Sequence, residues 1–124
     1  MLLGFLNRIL LKIRKKNIVN LNFDKHSKRK IFIYYKTDPF FFTFLSNKFE
    51  HTNNSEIIYI IEILKKYNFS IVLVDRAASK SQISKVLRYE YDIFIVNGAG
   101  NSAPNLKFIE KNIKTKIKIL YATG

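Results

Sequence analysis

Four short apolar runs, separated by helical patterns, constrain this sequence more than anything else in it. They are Ile31–Tyr35, Ile71–Val74, Ile93–Val96 and Ile117–Tyr121. Each is rich in β-branched or aromatic residues. Each runs into polar or small ones: Lys36-Thr37-Asp38-Pro39, Asp75-Arg76-Ala77-Ala78, Asn97-Gly98-Ala99-Gly100 and Ala122-Thr123-Gly124. An apolar run without polar alternation predicts a strand buried on both faces. Strands of this kind alternating with amphipathic helices predict a parallel sheet with right-handed crossovers. Such sheets bind ligands outside the carboxyl ends of their strands. The small-residue turns are therefore where function is expected.

The clearest helix lies between the first two runs. Asn53 followed by Glu56 has capping-box spacing, with Asn53 as the expected cap. Ile57, Ile60, Ile61, Ile63, Leu64 and Tyr67 then recur on one face, while Glu62, Lys65 and Lys66 point to water. Asn68 supplies a C-terminal stop. A shorter helix is expected over Gln82–Tyr89, started by Ser79 or Ser81. A weak one is expected over 103–112, with Pro104 in its first turn. Phe40-Phe41-Phe42-Thr43-Phe44-Leu45 is either core or a surface for a partner.

Residues 2–16 carry a different pattern. Leu2, Leu3, Phe5, Leu6, Ile9, Leu10 and Ile13 fall within a helical arc of roughly 160°, with Arg8, Lys12 and Lys15 opposite. A basic helix with one oily face suits an anionic membrane surface, and equally suits packing on a protein. Polar residues 17–29 read as a linker. The expected fold class is thus α/β, a Rossmann-like open parallel sheet of about four strands with flanking helices. A basic amphipathic N-terminal helix precedes it. Residues 1–29 form helix and linker, and residues 30–124 form the sheet domain.

Charge follows the same division. Of 22 basic residues nine lie in the first 30 positions, where Asp24 is the one acid, so the net charge of +13 is concentrated in that tail. Exposed aromatics interleaved with basic residues are not evident on the strands, which argues against a nucleic-acid partner. The absence of cysteine excludes disulfides and thiolate metal sites. No stretch approaches the ~18–20 apolar residues of a membrane span. The N-terminal charges follow the apolar residues instead of preceding them, unlike a signal peptide. The expected location is the cytoplasm, peripheral on the inner face of the membrane.

The expected rim excludes several chemistries. The turn after the first strand holds no glycine, so neither a dinucleotide fingerprint nor a P-loop is present. Asp75 stands where a ribose-binding acid would, without the glycine loop that gives the position meaning. A phospho-receiver needs an aspartate where Asn97 stands. Gly98 and Gly100 give a turn open to close ligand approach, or simply an ordinary strand-to-helix turn. His51, Thr52 and Asn53 open a helix whose free amides favour an anion or sugar hydroxyls. His51 is equally a capping or packing residue. Asp38, Glu56, Asp75 and Asp92 form no evident acid–base pair. No metal or cofactor is expected.

The order of these segments carries a resemblance. His51-Thr52-Asn53-Asn54-Ser55-Glu56 opens a helix ending in Tyr67-Asn68-Phe69, and Ile71-Val72-Leu73-Val74-Asp75 follows. Tyr91-Asp92-Ile93-Phe94-Ile95-Val96-Asn97-Gly98 and Lys118-Ile119-Leu120-Tyr121-Ala122-Thr123-Gly124 complete it. Over residues 30–124 the chain resembles the N-terminal, acceptor-side domain of bacterial glycosyltransferases with two Rossmann-like domains (the GT-B type). The resemblance implies a metal-independent transfer to a glycan or glycolipid acceptor. It also implies that His51, Thr52, Asn53, Gly98, Gly100 and Gly124 face an interdomain cleft. The nucleotide-sugar would bind only with a C-terminal domain that this sequence lacks. The chain is then expected to be a truncated or split product, inactive alone. The departure is Thr37-Asp38-Pro39, which replaces the glycine-rich loop often found there. The alternative expectation is a non-enzymatic Rossmann-like binding module at the membrane surface.

Overall fold

A computed structural model of the chain describes Phe5, Leu6, Ile9 and residues 16–27, 29–37, 52–97 and 104–121. Its elements are β1 (Ile18–Leu21), β2 (Lys30–Tyr35), α1 (Thr52–Lys66), β3 (Ser70–Asp75), α2 (Lys80–Leu87), β4 (Glu90–Asn97), α3 (Leu106–Asn112) and β5 (Lys114–Tyr121). The strands form one sheet in the order β1-β3-β2-β4-β5. β2, β3, β4 and β5 run parallel, and β1 pairs antiparallel with β3. The protein is α/β with a mixed, mostly parallel sheet, consistent with a Rossmann-like fold.

Chain order explains why helices cover both faces. From β2 the chain steps to β3 on one side, then passes back over β2 to β4 and on to β5. Right-handed crossovers in opposite directions place their helices on opposite faces. Phe32, Tyr34, Val72, Val74, Phe94 and Val96 pack against Ile83, Val86 and Leu87 of α2 and Ile109 of α3. Ile31, Ile33, Tyr35, Ile71, Leu73 and Ile95 pack against Ile57 and Ile61 of α1. Phe32 is the centre of the first layer, meeting the rings of Tyr91 and Phe94 edge-on at 5.3 and 5.4 Å. β2 and β3 are buried along their whole length, as continuous apolar runs predict.

Local signals fix the helix ends. Asn68 takes φ 62°, and its N–H donates to the Lys65 carbonyl while that of Phe69 donates to Leu64. This paired closure is a Schellman motif, which uses a left-handed residue that Asn tolerates. Ser79 caps α2. Its hydroxyl accepts from the Gln82 N–H, and the Gln82 side chain accepts from the Ser79 N–H. At the other end of α1 the helix already includes Thr52, so Asn53 stands in its first turn instead of capping it. The buried face of α1 also differs from expectation. Ile63 and Tyr67 are exposed, and Ile58 takes part in the packing.

Further expectations are corrected. Residues 17–29 are not simply a linker, because Ile18–Leu21 adds to the free edge of β3. The chain after it is tied to the amino end of β3: Ser70 Oγ accepts from the Asp24 N–H at 2.8 Å and donates to the Asn22 carbonyl at 3.2 Å. Lys30 Nζ donates to the Ser27 carbonyl. The sheet has five strands instead of about four, and they are not all parallel. β5 is not buried either. Ile117, Ile119 and Leu120 are 53%, 42% and 63% exposed, because β5 is the outermost strand of the order.

Of the expected N-terminal helix, Phe5, Leu6 and Ile9 are helical with exposed side chains. Arg8, Lys12 and Lys15 lie outside the described residues, as does the Phe40–Leu45 run. Among the described residues no helix is long and apolar enough to cross a membrane.

Two buried tyrosines give the fold a pH dependence. The Tyr91 hydroxyl donates to the Val86 carbonyl at 2.6 Å, and burial pushes its phenol well above the ordinary range. Burial also raises Tyr34, opposed by the N–H that Asn105 donates to it. A phenol that stays protonated in the folded state while ionising in the unfolded chain favours unfolding at high pH. Stability is therefore full below the ordinary tyrosine value of 10.0 and falls as pH rises above it. In a tyrosinate absorbance titration, Tyr34 and Tyr91 should ionise late and together with loss of helical circular dichroism. Ionisation of Tyr34 and Tyr91 near the ordinary value in folded protein would refute this.

Candidate functional site

Parallel strands place all their carboxyl ends on one edge of the sheet. At that edge the chain leaves β2 towards α1 on one face, and leaves β4 towards α3 on the other. A crevice forms where neighbouring connections diverge in this way. In this sheet the divergence falls between the carboxyl ends of β2 and β4, which pair from Ile31↔Ile93 to Tyr34↔Val96.

Of the sequence-predicted site residues, His51, Gly98, Gly100 and Gly124 lie outside the described residues. Thr52 and Asn53 form the start of α1, the helix that follows β2. The edge also holds residues that sequence reasoning missed.

The centre of the β2–β3 half is Asp75, the last residue of β3 and 3% exposed. Its Oδ1 accepts from the Thr37 N–H at 2.8 Å, and its Oδ2 accepts from the Ala77 N–H at 2.9 Å. The second bond, to the residue two positions on, is an Asx-type turn. Thr37 is fully buried, and its Oγ1 lies 2.6 Å from the Lys16 carbonyl and 3.3 Å from Asp75 Oδ1. One hydroxyl proton serves one acceptor best, and the shorter contact assigns it to Lys16. The Asp75 N–H donates to the Asn17 carbonyl at 2.8 Å, and Asn17 Nδ2 donates to Gln82 Oε1 at 3.2 Å. Asp75 thus ties together the end of β2, the turn into α2 and the segment entering β1. It occupies the place of a ribose-binding acid but acts as a fastener.

The other face is fastened by Tyr34. Its hydroxyl accepts from the Asn105 N–H at 3.3 Å and lies 3.5 Å from the Arg76 carbonyl. Asn105 Nδ2 donates to the Ala78 carbonyl at 2.9 Å. These bonds join the start of α3 to the turn after β3.

Lys36 Nζ and the Arg76 guanidinium lie 5.7 and 5.5 Å from the centre of the Tyr35 ring, in cation–π range. Among the described residues no group of three His, Cys, Asp or Glu side chains is placed to hold a metal ion. An open cleft of about 450 Å³, lined by Glu90, Tyr91, Asp92, Lys114, Thr115 and Lys116, lies at the amino ends of β4 and β5. That is the opposite edge, away from the crevice. Its lysines and acids neutralise one another, Lys116 meeting Asp92 at 3.4 Å.

One sequence signal for the fastening was available: an aspartate at the end of an apolar run, followed by Arg76-Ala77-Ala78. Nothing local marks Asn17 or Thr37, whose partners lie far along the chain. Comparison with protein-family models, with curated proteins and with solved structures finds no match for this chain.

Proposed function

We propose that this sheet is the acceptor-side domain of a glycosyltransferase that works at a membrane surface on a glycan or glycolipid. In this reading a second sheet domain binds the nucleotide-sugar. The observation that carries it is the attachment of Lys16 and Asn17 to the rim, through Thr37 and Asp75. The basic, oily segment ahead of Lys16 therefore joins the domain at its ligand-facing edge. A segment lying on anionic lipid would hold the crevice beside the bilayer, where a lipid-linked acceptor presents its sugar. The turn Lys36-Thr37-Asp38-Pro39 lacks the glycines that cradle a pyrophosphate, so donor binding is assigned to the other domain. Without that domain the chain transfers no sugar.

The test has two arms. Vesicles containing anionic lipid should sediment the full chain, and deleting residues 2–15 should abolish this, as should raised salt in part. Incubation of the chain with nucleotide-sugars should give no turnover above a heat-treated control. Equal sedimentation by the deleted chain sinks the membrane placement. Turnover by the chain alone sinks the division of labour between two domains. The second reading, a non-enzymatic binding module, is favoured by the use of Asp75 as a fastener. It gains if no donor domain, supplied in trans, restores transfer.

A further inference from the structure

The two faces of the sheet are unequally covered. α2 and α3 both pack on the face of Phe32 and Tyr34, while α1 alone, among the described residues, packs on the face of Ile31 and Ile33. α1 joins β2 to β3, so it lies over that half of its face. The β4–β5 half of the same face carries no helix among the described residues. Ile117 and Ile119 pair with Ile93 and Ile95, which belong to the α1 cluster, so they point to this face, and both are exposed.

The flank of α1 next to this half is apolar as well. With Ile57 and Ile61 aimed at the sheet, Ile60, Ile63 and Tyr67 fall on one flank of the helix, and Ile58 and Lys65 on the other. A right-handed crossover from β2 to β3, with its helix running against the strands, turns the first flank towards β4. Ile63 and Tyr67 are exposed there. A groove results, walled by α1 and floored by Ile93, Ile117 and Ile119. Its floor is two strands wide, about 10 Å, which is the width of one helix.

We infer that this groove takes the chain's own N-terminal segment, whose oily arc runs from Leu2 to Ile13. Phe5, Leu6 and Ile9 of that arc are helical with exposed side chains. As a helix, residues 2–13 span about 18 Å, close to the roughly 20 Å height of a six-residue strand. The point of attachment selects this occupant. The Thr37 hydroxyl donates to the Lys16 carbonyl at 2.6 Å, which ties the segment to the end of β2, and β2 borders β4. So short a tether holds the segment at a local concentration on the order of millimolar, which a partner in solution must outcompete. Seated in the groove, the segment buries its oily arc and leaves Arg8, Lys12 and Lys15 in water.

Docking and lipid binding need the same arc, so each excludes the other. The arrangement with both surfaces bare is the open state through which they exchange. Such an exchange needs a docked state that is only weakly favoured, so loss of docking costs little global stability. The inference concerns this segment alone and stands whether or not the domain serves a glycosyltransferase.

The experiment uses the full chain with isotope-labelled isoleucine methyls and a spin label at Arg8→Cys, a single thiol in a protein without cysteine. Ile93 and Ile117 should lose methyl signal, while Ile83 and Ile109 on the opposite face should keep theirs. Ile63→Lys/Ile117→Lys, placed at two exposed positions where the fold tolerates change, should restore the signal of Ile93. Anionic vesicles that sediment the chain should restore it too. No loss at Ile93 and Ile117, equal loss on both faces, or loss that persists in the double variant would each overturn the inference. So would loss passed from spin-labelled to isotope-labelled molecules in a mixture, which would identify a second copy's segment as the occupant. Loss that persists on sedimenting vesicles would overturn the exclusion between groove and lipid.

Discussion

Asp75→Ala should lower the free energy of unfolding by about 3 kcal/mol, because it removes the acceptor of two backbone donors at once. The carboxylate holds the N–H of buried Thr37 and that of Ala77, and neither bond survives truncation. A small domain is stable by only about 5–15 kcal/mol in all, so the loss is a large fraction of the whole. Asp75→Asn keeps one oxygen acceptor and should cost less than half as much. Urea denaturation followed by circular dichroism reads both values. Equal, small losses from the two variants would show that the Thr37 and Ala77 amides find water or other partners, and that Asp75 does not hold the rim together.

Phe32→Ala and Ile119→Ser should differ in effect more than any comparable pair in the sheet. Phe32 is fully buried between two rings and two helices, and its removal leaves a cavity costing about 3–5 kcal/mol. Ile119 is already 42% exposed on the outermost strand, so a polar replacement should change stability by under about 1 kcal/mol. The Ile119 variant should also be more soluble, since it interrupts an exposed apolar strip. Thermal and urea unfolding of the two proteins decide the matter. A loss at Ile119 as large as that at Phe32 would mean that β5 is covered in solution.

Much of this architecture is legible in the sequence where the determinants are local. β2 and β3 announce themselves as unbroken apolar runs, Ser79 and Gln82 as a capping box, and Asn68 as a helix stop. β1 is not legible for the opposite reason. Ile18-Val19-Asn20-Leu21 is too short to show a period, and it is a strand because β3 offers it a free edge. β5 reads as buried from the apolar residues Ile117, Ile119, Leu120 and Tyr121, and it is exposed because its place at the end of the strand order is set by topology and not by its own sequence. The sequence also marks where the carboxyl ends of β2, β3 and β4 fall, since turn chemistry is local. It does not identify the fastening of Lys16, Asn17, Thr37 and Asp75, since that depends on which distant segments the topology makes neighbours.

The pairing of β1 with β3 also sets an order in time. Ile18 is matched to Val74, so the strand nearest the start of the sheet waits for one near its middle. β2 emerges in between and is no neighbour of β1. Synthesis at about 5–20 residues per second makes this wait on the order of seconds, long compared with the microseconds of local folding. Until Asp75 has been made, Lys16 and Asn17 have nothing to be fastened to. For that interval the basic, oily segment ahead of them is free of the sheet, and any surface it favours has first claim on it. The nascent chain would then be held at that surface before the carboxyl edge of the sheet has been assembled.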